Sequence, residues 1–147
     1  MNENIIINYK YTINTMIILA LDYGIKRIGL AKGDTESCIA RPFGIVENKS
    51  DEFVFNNLTK IIKEEWIDEI LIGAPHGLTG EDTDQTKYTL DFVNKLKNVY
   101  KNIKVTTIDE RLSSRQASTM ISKKGHLDDV AATVFLQDYI DKLSRGK

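Results

Sequence analysis

The sequence predicts an α/β fold, one mixed five-stranded sheet with helices on both faces. Three observations carry this. The run Ile17-Ile18-Leu19-Ala20-Leu21 is apolar throughout and ends in Asp22, the pattern of a strand buried on both faces. A second strand-like run, residues 27–33, follows after a gap too short for a helix, so the two pair as a hairpin. From Ser50 onward, helical periods alternate with short apolar runs, as in sheets whose strands are joined by crossover helices.

The elements follow in order. Strand one covers residues 16–22, and Gly24 gives the turn after it its backbone freedom. A third, shorter strand is expected around residues 39–46, with Pro42 restricting it to an edge or an entry position. Ser50 is a helix N-cap, with Asp51 and Glu52 in the first turn, where the helix dipole favours acids. Val54, Leu58, Ile61 and Ile62 recur at helical spacing, and Trp66 is expected to close that helix as a core anchor. Residues 69–73 are strand four and lead into a Gly/Pro-rich loop. Residues 83–100 form a second helix with Tyr88, Phe92, Val93, Leu96 and Val99 on one face. Residues 103–108 are an alternating, β-branched fifth strand. Ser113 to Gln116 fits a capping box opening a short helix that Gly125 ends. Residues 128–143 form a last helix, apolar on more than one side and therefore packed deep against the sheet.

Composition bounds the function. The 147 residues suffice for one domain with a real core, here residues 16–147. A net charge of -1 gives no global attraction to nucleic acid, so such a partner must meet a local basic patch. The single cysteine, Cys38, is read as a partly buried filler and suits a reducing cytosol, so a cytoplasmic location is expected. No apolar run reaches the ~20 residues that cross a bilayer. Residues 1–15 lack the marks of a signal peptide. Met16 is read as the natural start, with 1–15 a tail or upstream mis-start; the alternative is an extra edge strand on Ile5-Ile6-Ile7.

Three acids stand at element junctions: Asp22 ending strand one, Glu110 after strand five, and Asp128 opening the last helix beside Asp129. Hard cations such as Mg²⁺ take oxygen ligands, and a pair of them clamps both oxygens of a phosphodiester displacement. Each acid also has a plain structural reading, as a turn residue, an ion-pair partner of Arg111 or Arg115, or an N-cap. Lys26, Arg27, Arg111 and Arg115 lie on segments leading to these acids and suit phosphate contacts. His76 is read as an exposed loop histidine and His126 as a turn residue or phosphate contact. Nothing resembles a Ser-His-Asp triad or a Walker loop.

Four motifs occur in fixed order: Ala20-Leu21-Asp22-Tyr23-Gly24 with Arg27-Ile28-Gly29-Leu30-Ala31; Ile72-Gly73-Ala74-Pro75; Asp109-Glu110-Arg111-Leu112; and Leu127-Asp128-Asp129-Val130-Ala131-Ala132. Together they resemble the bacterial YqgF family, the pre-16S rRNA nucleases, also described as Holliday-junction-resolvase-like, over residues 16–143. The resemblance implies a ribonuclease-H-like fold and a divalent-metal site, Mg²⁺ or Mn²⁺, made by Asp22, Glu110 and Asp128. It implies cleavage of structured nucleic acid, foremost 5′-end maturation of precursor 16S rRNA, with branched four-way DNA as the alternative substrate. Ribosomal particles are then expected partners, and the chain a monomer or homodimer. The sequence departs from the family in Ser113-Ser114, where a Thr pair is usual, and in His76-Gly77, where an apolar residue and Asn are usual. Residues 1–15 have no counterpart, and Asp129 is read as a cap or spare ligand. Two rivals are a nucleotide-binding module of actin-like type, which needs a second such domain, and a non-catalytic RNA- or ribosome-binding protein.

Overall fold

The computed structural model describes residues 14–74, 84–109 and 128–146. Five strands form one sheet: β1 (Ile17–Tyr23), β2 (Arg27–Asp34), β3 (Ala40–Glu47), β4 (Glu69–Ala74) and β5 (Lys104–Asp109). Their order across the sheet is β3-β2-β1-β4-β5. β2 runs antiparallel to its neighbours, and β1, β4 and β5 are parallel. The central strand is therefore β1, the most apolar run of the sequence, and it needs cover on both faces.

Among the described residues that cover comes from three helices, α1 (Asp51–Glu64), α2 (Asp84–Val99) and α3 (Asp128–Arg145). Side chains alternate along β1 and sort the core into two layers. Leu19 and Leu21 join Val54 and Leu58 of α1 and Phe92, Val93 and Leu96 of α2. Ile18 and Ala20 join Ala132, Phe135, Leu136 and Ile140 of α3. The deep packing expected of the last helix is thus found.

The helix signals act as read. Ser50 Oγ accepts the Phe53 N–H at 3.1 Å and caps α1, whose first turn holds Asp51 and Glu52. β3 is one edge of the sheet, and its pairing with β2 shifts register at Leu30/Ala31, opposite the stretch containing Pro42. Pro42 removes a donor there, and the bulge blunts an edge otherwise open to pairing.

Three side chains depart from expectation. Trp66 is not a core anchor but 48% exposed. The Glu65 N–H bonds the Ile61 carbonyl, and the Ile67 N–H bonds the Ile62 carbonyl at 3.1 Å, the wrap that closes a helix through a left-handed residue. Trp66 is that residue, at φ 57°, so the chain reverses there and Ile67 enters the core instead. Tyr88 is 52% exposed because α2 buries Thr86, Thr89, Phe92, Val93 and Leu96, a stripe that leaves position 88 outside. Val99 is exposed at the helix end, while Tyr100 turns inward and its hydroxyl meets Thr59 Oγ1 at 2.7 Å.

Candidate active site

Asp22 lies near the carboxyl end of the central strand, half-buried, where an α/β sheet gathers its chemistry. Alternation puts it on the face of Ile18 and Ala20, the face that α3 covers. Its cross-strand partner is Gly29, which sets no side chain beside the carboxylate. Leu21 pairs with Ile72, and Ile72 with Thr107, so the ends of β4 and β5 stand level with Asp22.

The strand end is braced from three sides. A Cβ on Gly24 would lie 2.5 Å from the Arg27 carbonyl oxygen, so only glycine lets the turn close. Asn48 donates its side-chain amide to the Gly24 carbonyl and its backbone N–H to the Lys26 carbonyl, each at 2.9 Å. From the other layer, Gln85 Nε2 donates to the Tyr23 carbonyl at 3.0 Å. The Tyr23 ring stacks on Phe92 with centroids 4.4 Å apart.

Helix α3 runs antiparallel to β1. Its late residues Leu143 and Ser144 share a small cleft with Thr35, which bonds Met16 just below the start of β1. Ile140 sits one step higher, against Gly33, the partner of Ile18. Gln137 accepts the Ala40 N–H at 2.8 Å and donates to the Cys38 carbonyl at 2.9 Å, tying the helix to β3 where Ala40 pairs with Gly33.

The axial position of α3 is fixed by a buried polar cluster. Glu69, 1% exposed at the head of β4, accepts hydrogen bonds from Tyr139 Oη at 2.6 Å and from Thr106 Oγ1 at 2.7 Å. Burial first, and the Glu69 carboxylate second, push the Tyr139 hydroxyl up to about 12. Glu69 pairs with Ile18 in register. The rise from Ile18 to Asp22 is about 13 Å of strand, and from Tyr139 back to Asp128 about 16 Å of helix. The start of α3 and the Asp22 end of β1 therefore come to the same edge of the sheet.

The sequence-predicted residues distribute as follows. Asp22 and the Asp128 helix start share the carboxyl edge of the sheet, on the same face. Lys26 and Arg27 lie exposed at the β1–β2 turn beside it. Glu110, Arg111, Arg115, Ser113, Ser114, His76 and His126 lie outside the described residues, as do residues 1–13. Among the described residues no three potential metal ligands cluster, and no helix is long and apolar enough to cross a membrane. Glu69, Asn48 and Gln85 are missing from the sequence reading. Only Glu69 carried a signal, an acid heading an otherwise apolar strand.

The RuvX family, described as Holliday junction resolvase, matches residues 16–142. A "Putative pre-16S rRNA nuclease" of Sulfurihydrogenibium sp. is 39% identical over 134 residues, covering 86% of this chain and 91% of that protein. One of the same name from Paraburkholderia phytofirmans is 39% identical over 131 residues, covering 86% and 89%. Among solved structures, T. thermophilus RuvC in complex with a Holliday junction substrate superposes with TM-score 0.57 at 13% identity, covering 88% of this chain and 96% of that one. The fowlpox virus resolvase with Holliday junction DNA gives 0.55 at 18% identity, covering 87% and 99%. These two share the ribonuclease-H-like fold with this chain. With its fold, its ordered motifs and a family match across nearly all of its length, the chain belongs to the RuvX family and is a nuclease, a hydrolase of phosphodiester bonds.

Proposed function

We propose that this nuclease is a divalent-metal-dependent endonuclease acting on structured nucleic acid, with 5′-end maturation of precursor 16S rRNA as its task. The observation that carries the reading is Asp22 at the end of the central strand, on the face covered by the helix that Asp128 opens. Asp22, Glu110 and Asp128 are the metal-holding set. Carboxylate oxygens at a sheet edge are the donors that Mg²⁺ or Mn²⁺ takes while keeping sites for water and phosphate. Bound there, the metal supplies an activated water and charge stabilisation at the leaving oxygen. The chain's own cations do the positioning: Lys26, Arg27, Arg111 and Arg115 hold phosphates flanking the cleaved one. Precursor RNA on ribosomal particles in the cytoplasm is the substrate this reading assigns. The relatives' shared name supports it.

A second reading, cleavage of four-way DNA, is favoured by the family's description as Holliday junction resolvase. The two separate in one experiment. The purified chain is incubated with precursor 16S rRNA and with four-way DNA junctions, in Mg²⁺, in Mn²⁺ and in chelator. Metal-dependent cuts at the mature 5′ end support the first reading, and paired cuts at the junction support the second. Cleavage that persists in chelator, or none of either substrate, contradicts both.

A further inference from the structure

The β1–β2 turn breaks a local rule. Ile25 is 57% exposed, the highest value among the exposed large apolar side chains described. It also occupies a tight turn, where a β-branched residue is a poor choice and Gly, Asn or Asp the usual one. The turn is nevertheless held rigidly, by Gly24 packed onto the Arg27 carbonyl and by the two bonds from Asn48. Lys26 and Arg27 follow Ile25 directly and are exposed. The nearby acid, Glu47, pairs with Arg27 across the strands and lies 3.5 Å from Lys49. This apolar tip stands at the same edge of the sheet as Asp22, three residues away along the chain.

We infer that this turn is a seat for the nucleic-acid strand entering the site: Ile25 packs against an unstacked base, while Lys26 and Arg27 hold the phosphates on either side. A rigid apolar tip flanked by cations has the chemistry to do this. An exposed base offers an apolar face, aliphatic wedges insert at unstacked steps, and the cations anchor the backbone around them. Because the tip is braced before the substrate arrives, little ordering cost is added on binding. The inference rests on the nuclease reading above and adds the element that positions the strand.

The test uses the full chain and a synthetic RNA hairpin whose single-stranded 5′ flank carries a fluorescent adenine analogue that brightens on unstacking. Wild type, Ile25→Val, Ile25→Asp and a control, Ile39→Ser, are compared. Ile39 is also exposed, but it lies by the start of β3, at the other end of the sheet. Ile25→Asp is expected to weaken binding roughly tenfold, the size of one lost base contact, and to abolish the brightening. Ile25→Val and Ile39→Ser should retain both, and all four proteins should melt alike. An Ile25→Asp protein that binds and brightens like wild type overturns the inference and leaves the nuclease reading standing. A wild-type chain that binds neither this hairpin nor a four-way junction overturns the nuclease reading and this inference with it.

Discussion

Glu69 shows how a single residue orders the site from a distance. A buried carboxylate costs several kcal/mol unless its oxygens are bonded. Here one oxygen takes two hydroxyl donors, from β5 and from α3, so β4 holds the two elements that lead to Glu110 and Asp128. Tyr139→Phe keeps the ring and removes one donor, and should cost about 1 kcal/mol in chemical denaturation. The Tyr139 hydroxyl titrates near 12 in the folded chain against an ordinary 10.0, so folding favours its protonated form. Its contribution is therefore complete below about pH 10 and is lost as pH rises toward 12. Stability profiles of wild type and Tyr139→Phe should converge over that range, and parallel profiles would refute the linkage. Asp22 stood out in the sequence as an acid ending an apolar strand, a pattern that a turn residue also explains, and only the family resemblance marked it as a metal ligand. Glu69 stood out in the same way, heading an apolar strand, but its role was not legible, because its partners lie 37 and 70 residues away.

At the scale of elements, periodicity located every strand and helix among the described residues to within a residue or two, because burial on a sheet imposes its period on the chain. It failed where a face or an end was decided by neighbours. Trp66 and Tyr88 are large and apolar, yet the left-handed close of α1 and the seating of α2 leave both outside. The hairpin turn gives the clearest test at this scale. Gly24→Ala would bring its Cβ within 2.5 Å of a backbone oxygen, which no rotamer relieves. The turn must open, at about 2 kcal/mol. Because Asn48 and Gln85 brace the same segment, activity should fall further than the fraction unfolded explains. A Gly24→Ala protein with unchanged melting temperature would show that the turn accommodates a side chain.

For the whole molecule, the mixed sheet and its two helical layers bring the Asp22 end of β1 and the start of α3 to one edge. The order β3-β2-β1-β4-β5 is what puts Asp22 on the central strand. Beyond the β1–β2 hairpin this order was not legible in the sequence, since strand periodicity says nothing about which strands are neighbours. The compact unit is expected to begin at Met16, whose N–H and carbonyl both bond Thr35, at 2.9 and 3.0 Å. A chain beginning at Met16 should melt like the full chain, and a loss above about 2 kcal/mol would assign the first fifteen residues a packing role.

The central claim is that Asp22 and Asp128 hold metal for cleavage. It is tested most directly by measuring Mg²⁺-dependent cleavage and binding of precursor 16S rRNA by wild type, Asp22→Asn and Asp128→Asn. Asn matches Asp in shape and caps a helix about as well, so the fold should persist in both variants. The account predicts that each variant loses cleavage by at least about a hundredfold while binding the RNA nearly as tightly as wild type, since Lys and Arg make the phosphate contacts. Full cleavage by either variant, at unchanged Mg²⁺ dependence, would contradict it.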